Sequence, residues 1–340
     1  MRKVADGGYS RLRRLLDKTV LVTFNGSLVR SSDNGKTWGQ PEVVFANFTA
    51  SKDGKSTTVH IANLEIIQLS NGDLVAGCNY RPAVPEITPF AMAVKTSKDN
   101  GKSWSEAQVI YEAAPRFKDG CWEPAFLELP SGEVQCYFAN EGPYLTTDEQ
   151  EISLLSSTDK GATWGRFKTV CFRAGRRDGM PVPVLLGDEI VMSIEDNKIG
   201  EFKPYIIRTK LSDNWKEPVL ANSPNREYAL KDLLPDNVYA GAPYIVRIPS
   251  GEVVMSYQTT ENRTANWELS TMEVAISDKT GRNFTNRTQP FDVPVTKEAK
   301  WNSVSLWDNE TVAAIASTNF AGKGIETWII LGKIVGAKAK

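Results

Sequence analysis

A turn sequence that occurs three times constrains the fold of this chain more than any other feature. It reads S-S-D-N-G-K-T-W at 31–38, S-K-D-N-G-K-S-W at 97–104 and S-T-D-K-G-A-T-W at 157–164. The three copies start 66 and 60 residues apart, and eroded copies follow at 211–215 and 277–284. Such repetition along a chain indicates a repeat architecture.

A second motif runs in phase with these turns. It consists of a hydrophobic strand, a tight Gly or Asn turn and an alternating strand, which is the pattern of a β-hairpin. It occurs six times, at 15–23, 69–77, 129–137, 185–193, 248–256 and 306–314. Six hairpins, each followed by a further strand pair, predict six four-stranded units, and four-stranded antiparallel sheets repeated radially form a β-propeller.

The predicted fold is therefore all-β: a six-bladed β-propeller that forms a single domain over residues 1–340. The ring is predicted to close through a C-terminal strand, E-T-W-I-I-L-G-K-I at 326–334, which adds to the first blade. The long polar loop 222–238, with Arg226 and Tyr228, is predicted to be a lid over one mouth of the channel.

The repeated turn has a mechanical explanation. Asp33, Asp99 and Asp159 can accept hydrogen bonds from turn backbone N–H groups, the Gly supplies a positive φ, and the Trp packs back on the sheet. The motif resembles the Asp-box, or bacterial neuraminidase repeat, of sialidases and related glycosidases. This resemblance implies architecture rather than activity, because non-enzymatic propellers carry the motif too.

Composition narrows the classes of function. The chain has 40 basic and 41 acidic residues, so no strong field for nucleic acid or an acidic membrane is expected. No apolar run approaches the roughly 20 residues that span a bilayer. The single histidine, His60, and four cysteines without CxxC spacing argue against a histidine-based triad or a metal knuckle. We therefore expect no metal or other cofactor, and a monomer.

Polar residues cluster where the predicted strands meet one mouth of the channel. The inner strand of each blade begins there, and the second strand, being antiparallel, ends there. Charged groups at such positions are unusual because strands normally avoid them. The candidate site residues are Arg11, Glu65, Arg81, Trp122, Glu123, Asn140, Glu141, Arg177, Glu195, Asp196, Tyr239 and Asn302.

Two of these carboxylates are candidate catalysts. Glu123 begins the inner strand of the third blade and Glu195 ends the second strand of the fourth, so neighbouring blades would bring them to one pocket. Two carboxylates flanking a bond are the minimal apparatus of glycoside hydrolysis. The alternative is that each pairs with an arginine as a structural ion pair. Glu65, Glu141 and Asp196 could bind sugar hydroxyls, and in a carbohydrate-binding module Trp122 and Tyr239 would stack on sugar faces.

The residues around these glutamates suggest a family. C-W-E-P at 121–124, V-M-S-I-E-D-N at 191–197 and Y-A-G-A-P-Y-I-V-R-I-P-S-G-E at 239–252 resemble the exo-α-1,5-L-arabinanases of glycoside hydrolase family 93. The resemblance implies a six-bladed propeller that releases arabinobiose from a polysaccharide or oligosaccharide end with retention, using Glu123 as nucleophile and Glu195 as acid/base. It also favours an extracellular or periplasmic location, although Met1–Leu16 lacks the apolar region of an intact signal peptide.

Two other functions stay open. Y-S-R-L-R-R at 9–14 echoes the start of sialidases, and Arg11 or Arg13 could join Arg81 and Arg177 in a carboxylate clamp. However, sialidases supply an Asp acid after the second strand of the first blade, where this chain has F-N-G-S-L-V without a carboxylate. A non-catalytic carbohydrate-binding propeller is the third hypothesis.

Overall fold

The computed structural model describes residues 1–116, 119–322 and 324–334. Over these residues the protein is all-β, with one short 3₁₀ helix at Trp267–Leu269, and none of them belongs to a helix long and apolar enough to cross a membrane. The strands are β1 Arg2–Asp6, β2 Arg11–Arg14, β3 Val20–Phe24, β4 Ser27–Ser31, β5 Glu42–Val43, β6 Phe48–Lys52, β7 Lys55–Gln68, β8 Leu74–Pro82, β9 Ala91–Ser97, β10 Gln108–Glu112, β11 Cys121–Glu128, β12 Val134–Asn140, β13 Glu151–Ser157, β14 Lys168–Phe172, β15 Asp178–Leu186, β16 Glu189–Asp196, β17 Lys203–Lys210, β18 Val219–Leu220, β19 Arg226–Tyr228, β20 Ala240–Arg247, β21 Val253–Thr259, β22 Thr271–Ser277, β23 Thr285–Thr288, β24 Ala299–Leu306, β25 Thr311–Thr318 and β26 Glu326–Lys333.

The chain divides into two compact units. Unit 1 contains Met1–Arg14 and Val182–Lys340, and unit 2 contains Leu15–Pro181. In unit 2 the antiparallel sheets run β3-β4-β5, β10-β9-β8-β7-β6 and β11-β12-β13-β14. Each is a meander with a buried apolar face, the pattern of a propeller blade.

The three intact Asp-box turns all lie in unit 2, and their predicted structural role is confirmed. In the copy at 97–104, which follows β9 and leads to β10, Asp99 accepts hydrogen bonds from the Ser103 N–H and the Ser97 hydroxyl at 2.9 and 2.8 Å. Gly101 has the expected positive φ, 79°. Hydrogen bonding, first of all from the Ser103 hydroxyl, lowers the pKa of Asp99 to about 2.

The predicted hairpin turns are also present. The Leu69 N–H donates to the Asp73 carbonyl, and the equivalent bond closes the turns at Leu129 and Ile248, in each case at 2.8 or 2.9 Å. The Asn25-Gly26 connection is a two-residue turn between β3 and β4, with Phe24 opposite Ser27. Local turn chemistry therefore suffices to define these strand pairs.

Unit 1 contains three four-stranded meanders, β15-β16-β17-β19, β20-β21-β22-β23 and β24-β25-β26-β1. The last two are joined by a single parallel pair, Thr271 opposite Ala299. The sequence prediction for the C-terminal strand needs correction, because β26 does not extend the sheet of β3 and β4. It lies between β25 and the N-terminal strand β1, which occupies its other edge.

The predicted lid is wrong for its central residues. Arg226–Tyr228 form β19, the outermost strand of its sheet, paired with β17. The side chain of Arg226 is buried and makes a 2.8 Å ion pair with the fully buried Asp196. The polar composition of this segment therefore reflects a buried ion pair and not an open loop.

Candidate active site

The inner strands share an irregularity that shapes the candidate site. The strand register shifts at a β-bulge, and the bulge contains a residue with left-handed backbone: Asn63 in β7, Glu123 in β11, Ala242 in β20 and Trp301 in β24, with φ of 56, 58, 48 and 50°. Residues other than glycine rarely adopt positive φ. Bulges end regular pairing and re-aim side chains, and they are over-represented next to active sites.

The N–H groups of these left-handed residues are held by polar side chains. Trp301 donates its N–H to the Gln258 side-chain carbonyl at 2.6 Å, and Tyr9, also left-handed, donates to the Ser317 hydroxyl at 2.9 Å. The Glu123 N–H donates to the Asn79 side-chain carbonyl at 3.4 Å. The three acceptors lie on β21, β25 and β8, each the second strand of its meander, so these bonds tie the left-handed residues to neighbouring strands.

Glu195 occupies one such acceptor position in unit 1. Its carboxylate Oε2 accepts the N–H of left-handed Ala242 at 2.7 Å, and its side chain is half-buried. The preceding residue is Gly241, where an added Cβ would lie 2.6 Å from that same oxygen and still closer to the hydroxyl of Tyr239. Only glycine allows the backbone to approach both groups this closely.

Glu123 lies in the equivalent arrangement in unit 2, but on an inner strand. The N–H of Met180, another left-handed residue, donates to its Oε2 at 3.3 Å. Trp122, its half-buried neighbour, packs edge-on against Phe90 with ring centroids 4.9 Å apart. The guanidinium of the exposed Arg81 lies 5.1 Å from the Trp122 ring.

The other predicted residues of unit 2 lie deeper. Glu65 is buried, and its carboxylate accepts the N–H of Ile66 at 3.0 Å. Asn140 is fully buried and is bonded by the Tyr111 hydroxyl at 3.0 Å. Glu141 is buried, accepts the Gly120 N–H at 3.1 Å and forms an ion pair with Arg177, whose side chain is 32% exposed.

The predicted residues of unit 1 show the same pattern. Arg11 is buried between the rings of Tyr9 and Tyr244, at 4.1 and 4.9 Å, and donates to the Asn302 carbonyl at 3.2 Å. Asn302 and Asp196 are fully buried. Tyr239 is 8% exposed, and its hydroxyl accepts from the Gln258 amide at 2.9 Å. Several residues proposed to touch substrate thus lie behind the surface that Glu195 reaches.

The bulges themselves were missed at the level of sequence, although a signal for them exists. Glu123, Met180 and Ala242 each precede a proline inside a strand. Proline cannot donate to a sheet ladder, and within strands it is confined to edges, strand starts and bulges. Because β11, β15 and β20 are edge strands, such a proline indicates either an edge or a bulge, and in β11 and β20 a bulge is present beside it.

The described residues hold no cluster of three or more histidine, cysteine, aspartate or glutamate side chains that could bind a metal ion. Cys78, Cys121, Cys136 and Cys171 are buried free thiols within strands. Burial raises the pKa of the Cys136 thiol well above its usual range, which makes it a poor nucleophile.

Comparison with known proteins gives one family match and several similar structures. Residues 17–182 match the model of the BNR repeat-like domain, and no curated protein sequence matches significantly. The α-L-arabinofuranosidase Arb93A of Fusarium graminearum is 17% identical, with a TM-score of 0.73 over 96% of each chain. An α-L-arabinanase of Penicillium chrysogenum, solved with arabinobiose, is 15% identical, with a TM-score of 0.72 over 97% of each chain.

A sialidase shares the fold as well. NanB of Streptococcus pneumoniae is 12% identical, with a TM-score of 0.65 over 98% of this chain and 70% of the sialidase. The predicted resemblance to Asp-box propellers and to glycoside hydrolase family 93 is therefore confirmed. At these identities the likeness shows a common fold.

Proposed function

We propose that this protein is a six-bladed β-propeller glycosidase that cleaves a terminal glycosidic bond with Glu123 and Glu195. The observation that carries the proposal is the shared setting of the two glutamates. Each is half-buried, and each accepts the N–H of a residue with left-handed backbone, Met180 or Ala242. Such orientation of a carboxylate by backbone is what a positioned catalytic group requires.

The strand pairing within the units supports the proposed count of six blades. The six predicted hairpins recur, and the eight-stranded sheet of unit 1 separates into two meanders at the single pair Thr271 and Ala299. We propose one propeller formed by the whole chain, which acts as a monomer without nucleic acid or a cofactor. An extracellular or periplasmic location fits glycans as substrates.

The substrate class we favour is arabinan, with release of a short product from the chain end. The likeness to the Fusarium and Penicillium enzymes supports this choice through their fold. In the mechanism Glu123 attacks the anomeric carbon while Glu195 protonates the leaving oxygen, and Glu195 then deprotonates the water that releases the sugar with retention. Among the predicted binding residues, Arg81, Trp122 and Arg177 are exposed or half-buried and are proposed to contact the sugar. Glu65, Asn140, Glu141, Asp196, Tyr239, Asn302 and Arg11 are buried and are proposed to act through their neighbours.

The test is hydrolysis of linear α-1,5-arabino-oligosaccharides by wild type, Glu123→Gln and Glu195→Gln. Because general acid catalysis contributes about 10²–10⁴-fold, each variant should lose at least about 100-fold in kcat. Glu189→Gln is the matched control, because Glu189 lies on the same strand as Glu195 and its partner Arg208 keeps a second carboxylate, Glu227. Full activity in both active-site variants would overturn the proposal.

Azide separates the roles of the two glutamates. With an aryl arabinofuranoside, azide should rescue Glu123→Ala and give a glycosyl azide of inverted configuration. It should rescue Glu195→Ala with retained configuration, because the covalent intermediate still forms there. The reverse pattern would exchange the roles.

Two other functions are decided by the same experiment. An aryl sialoside assayed in parallel tests the sialidase. The setting of Arg11, buried between two tyrosine rings, speaks against its use in a carboxylate clamp. Binding of arabino-oligosaccharides without hydrolysis would indicate a carbohydrate-binding propeller.

A further inference from the structure

The connection between β21 and β22 presents an exposed tryptophan that the sequence patterns did not single out. Trp267 begins the short 3₁₀ helix Trp267–Leu269, and 40% of its surface is accessible. Large apolar rings are the surface groups that most often mark a binding site when they are held in a defined place.

Trp267 belongs to a continuous strip of aromatic rings in unit 1. The ring centroids of Tyr239 and Trp267 are 6.0 Å apart, those of Trp267 and Trp301 are 6.1 Å apart, and those of Trp301 and Tyr9 are 6.1 Å apart. Gln258 ties the strip together, because its amide donates to the Tyr239 hydroxyl and its carbonyl accepts the Trp301 N–H. The strip starts beside Glu195, since the Tyr239 hydroxyl and the Glu195 carboxylate flank Gly241.

The connection that carries Trp267 is rigidly anchored. The guanidinium of Arg263 donates to four backbone carbonyls, those of Leu269 at 2.7 Å, Val293 at 3.2 Å and Pro294 at 2.9 Å, and that of Lys297. The Asn266 side chain caps the short helix by accepting the Glu268 N–H at 3.1 Å. A surface fixed in this way loses little conformational entropy when a ligand binds.

The ion-pair cluster beside Trp267 consists of one ammonium and two carboxylates, so its net charge is negative. The ammonium of Lys300 lies 4.7 Å from the Trp267 ring and forms ion pairs with Glu268 and, at 2.9 Å, with Glu298. One ammonium beside two carboxylates leaves a net negative charge that disfavours an anion, so the surroundings suit a neutral ligand with many hydroxyl groups. An apolar ring bordered by carboxylate and ammonium groups matches a sugar, which has C–H faces and hydroxyl edges.

We propose that Trp267 is the platform for a second sugar residue of a neutral oligosaccharide, next along the chain from the residue at Glu195. The sugar stacks on the exposed part of the indole, and the exposed carboxylate of Glu268, held by the buried Lys300, binds its hydroxyls. The position relative to the cleaved bond rests on the proposed function of Glu195. The binding of a neutral glycan to Trp267 does not.

Binding to a catalytically inactive protein tests the platform. Glu195→Gln is titrated with α-1,5-arabinohexaose by calorimetry and tryptophan fluorescence, alone and combined with Trp267→Ala or Trp267→Phe. Since tryptophan is enriched among the residues whose truncation weakens binding most, Trp267→Ala should weaken hexaose binding by roughly tenfold or more. Trp267→Phe keeps a ring and should retain most of the affinity. The control is Leu331→Ala, which removes an equally exposed apolar side chain of unit 1.

Kinetics on the otherwise wild-type chain adds a second measurement. In Trp267→Ala, kcat/KM for the hexaose should fall by roughly tenfold more than kcat/KM for an aryl arabinofuranoside, which has no sugar to bind there. Equal falls for both substrates would mean that Trp267 only supports the fold.

The outcomes separate the platform from the catalytic proposal. Cellohexaose and 3′-sialyllactose are titrated alongside arabinohexaose. The platform is overturned if none of the three oligosaccharides binds to Glu195→Gln. It is also overturned if one of them binds and the added Trp267→Ala change leaves its affinity unaltered. If both glutamate variants keep full activity while Trp267→Ala loses glycan affinity, the catalytic proposal fails and the platform stands.

Discussion

Gly241→Ala tests how closely the backbone must approach the candidate catalytic groups. The added Cβ would lie 2.6 Å from the Glu195 Oε2 and closer still to the Tyr239 hydroxyl, so both side chains must move. Overpacking of this kind typically costs about 1–3 kcal/mol. Because a displacement of about 1 Å in a catalytic group can cost about 100-fold in rate, we expect kcat to fall by about two orders of magnitude.

The measurements are the free energy of unfolding in urea and kcat on arabino-oligosaccharides. Gly332→Ala is the matched control: Gly332 also lies in a strand of unit 1, and a Cβ there would meet nothing within 4 Å. Its free energy of unfolding should stay within about 0.5 kcal/mol of wild type. Adding Tyr239→Phe to Gly241→Ala removes the closest atom, so the double variant should be more stable than the sum of the two single changes predicts.

Two results would refute this reasoning. Unchanged stability of Gly241→Ala would mean that the backbone relaxes away from Glu195 and Tyr239 without cost. Lost stability with full kcat would mean that the position of Glu195 does not matter to the reaction, which would count against its catalytic role.

Two further predictions concern the fold. Hydrogen bonds lower the pKa of Asp99 and of Asp159 to about 2. The two carboxylates therefore stabilise the fold above the ordinary pKa of 3.8, and this contribution is lost as the pH falls towards 2. The thermal midpoint, followed by circular dichroism, should drop over that pH range, and the drop should be less steep in Asp99→Asn. Arg226→Met leaves the fully buried Asp196 without its ion-pair partner and should lower the free energy of unfolding by about 3–5 kcal/mol in urea titrations, whereas Arg226→Met combined with Asp196→Leu should recover much of that loss. A wild-type pH profile in Asp99→Asn, or a stable Arg226→Met, would contradict these accounts.

Features that local chemistry dictates were predictable from the sequence. The hairpin turns at Leu69, Leu129 and Ile248 follow from glycine and from alternating apolar residues, and the Asp-box turn at Asp99 follows from its own side chains. Both kinds of turn depend on contacts within about eight residues, so the local sequence pattern is sufficient to predict them.

Features that depend on distant pairing were not predictable. No local sequence pattern indicates that β26 pairs with β1, more than 300 residues away, or that Arg226 on β19 reaches Asp196 on β16 across β17. The mouth residues were chosen by their position at strand ends, but the half-exposed Glu195 and the buried Asp196 are neighbours in sequence. The side chains of neighbouring strand residues point to opposite faces, so one of the two is buried and the other is not. A bulge shifts this alternation, and the prolines in the strands are the sequence signal for it.

On several second strands, one side chain accepts the backbone N–H of a left-handed residue. Asn79, Glu195, Gln258 and Ser317 each receive the N–H of a left-handed residue, and only one of the four is acidic. A single codon change, such as Gln258→Glu, would install a second oriented carboxylate without altering the backbone that supports it. In a scaffold of this kind the location of reactive groups is interchangeable among blades, so related chains can relocate their chemistry around the molecule while the architecture stays constant.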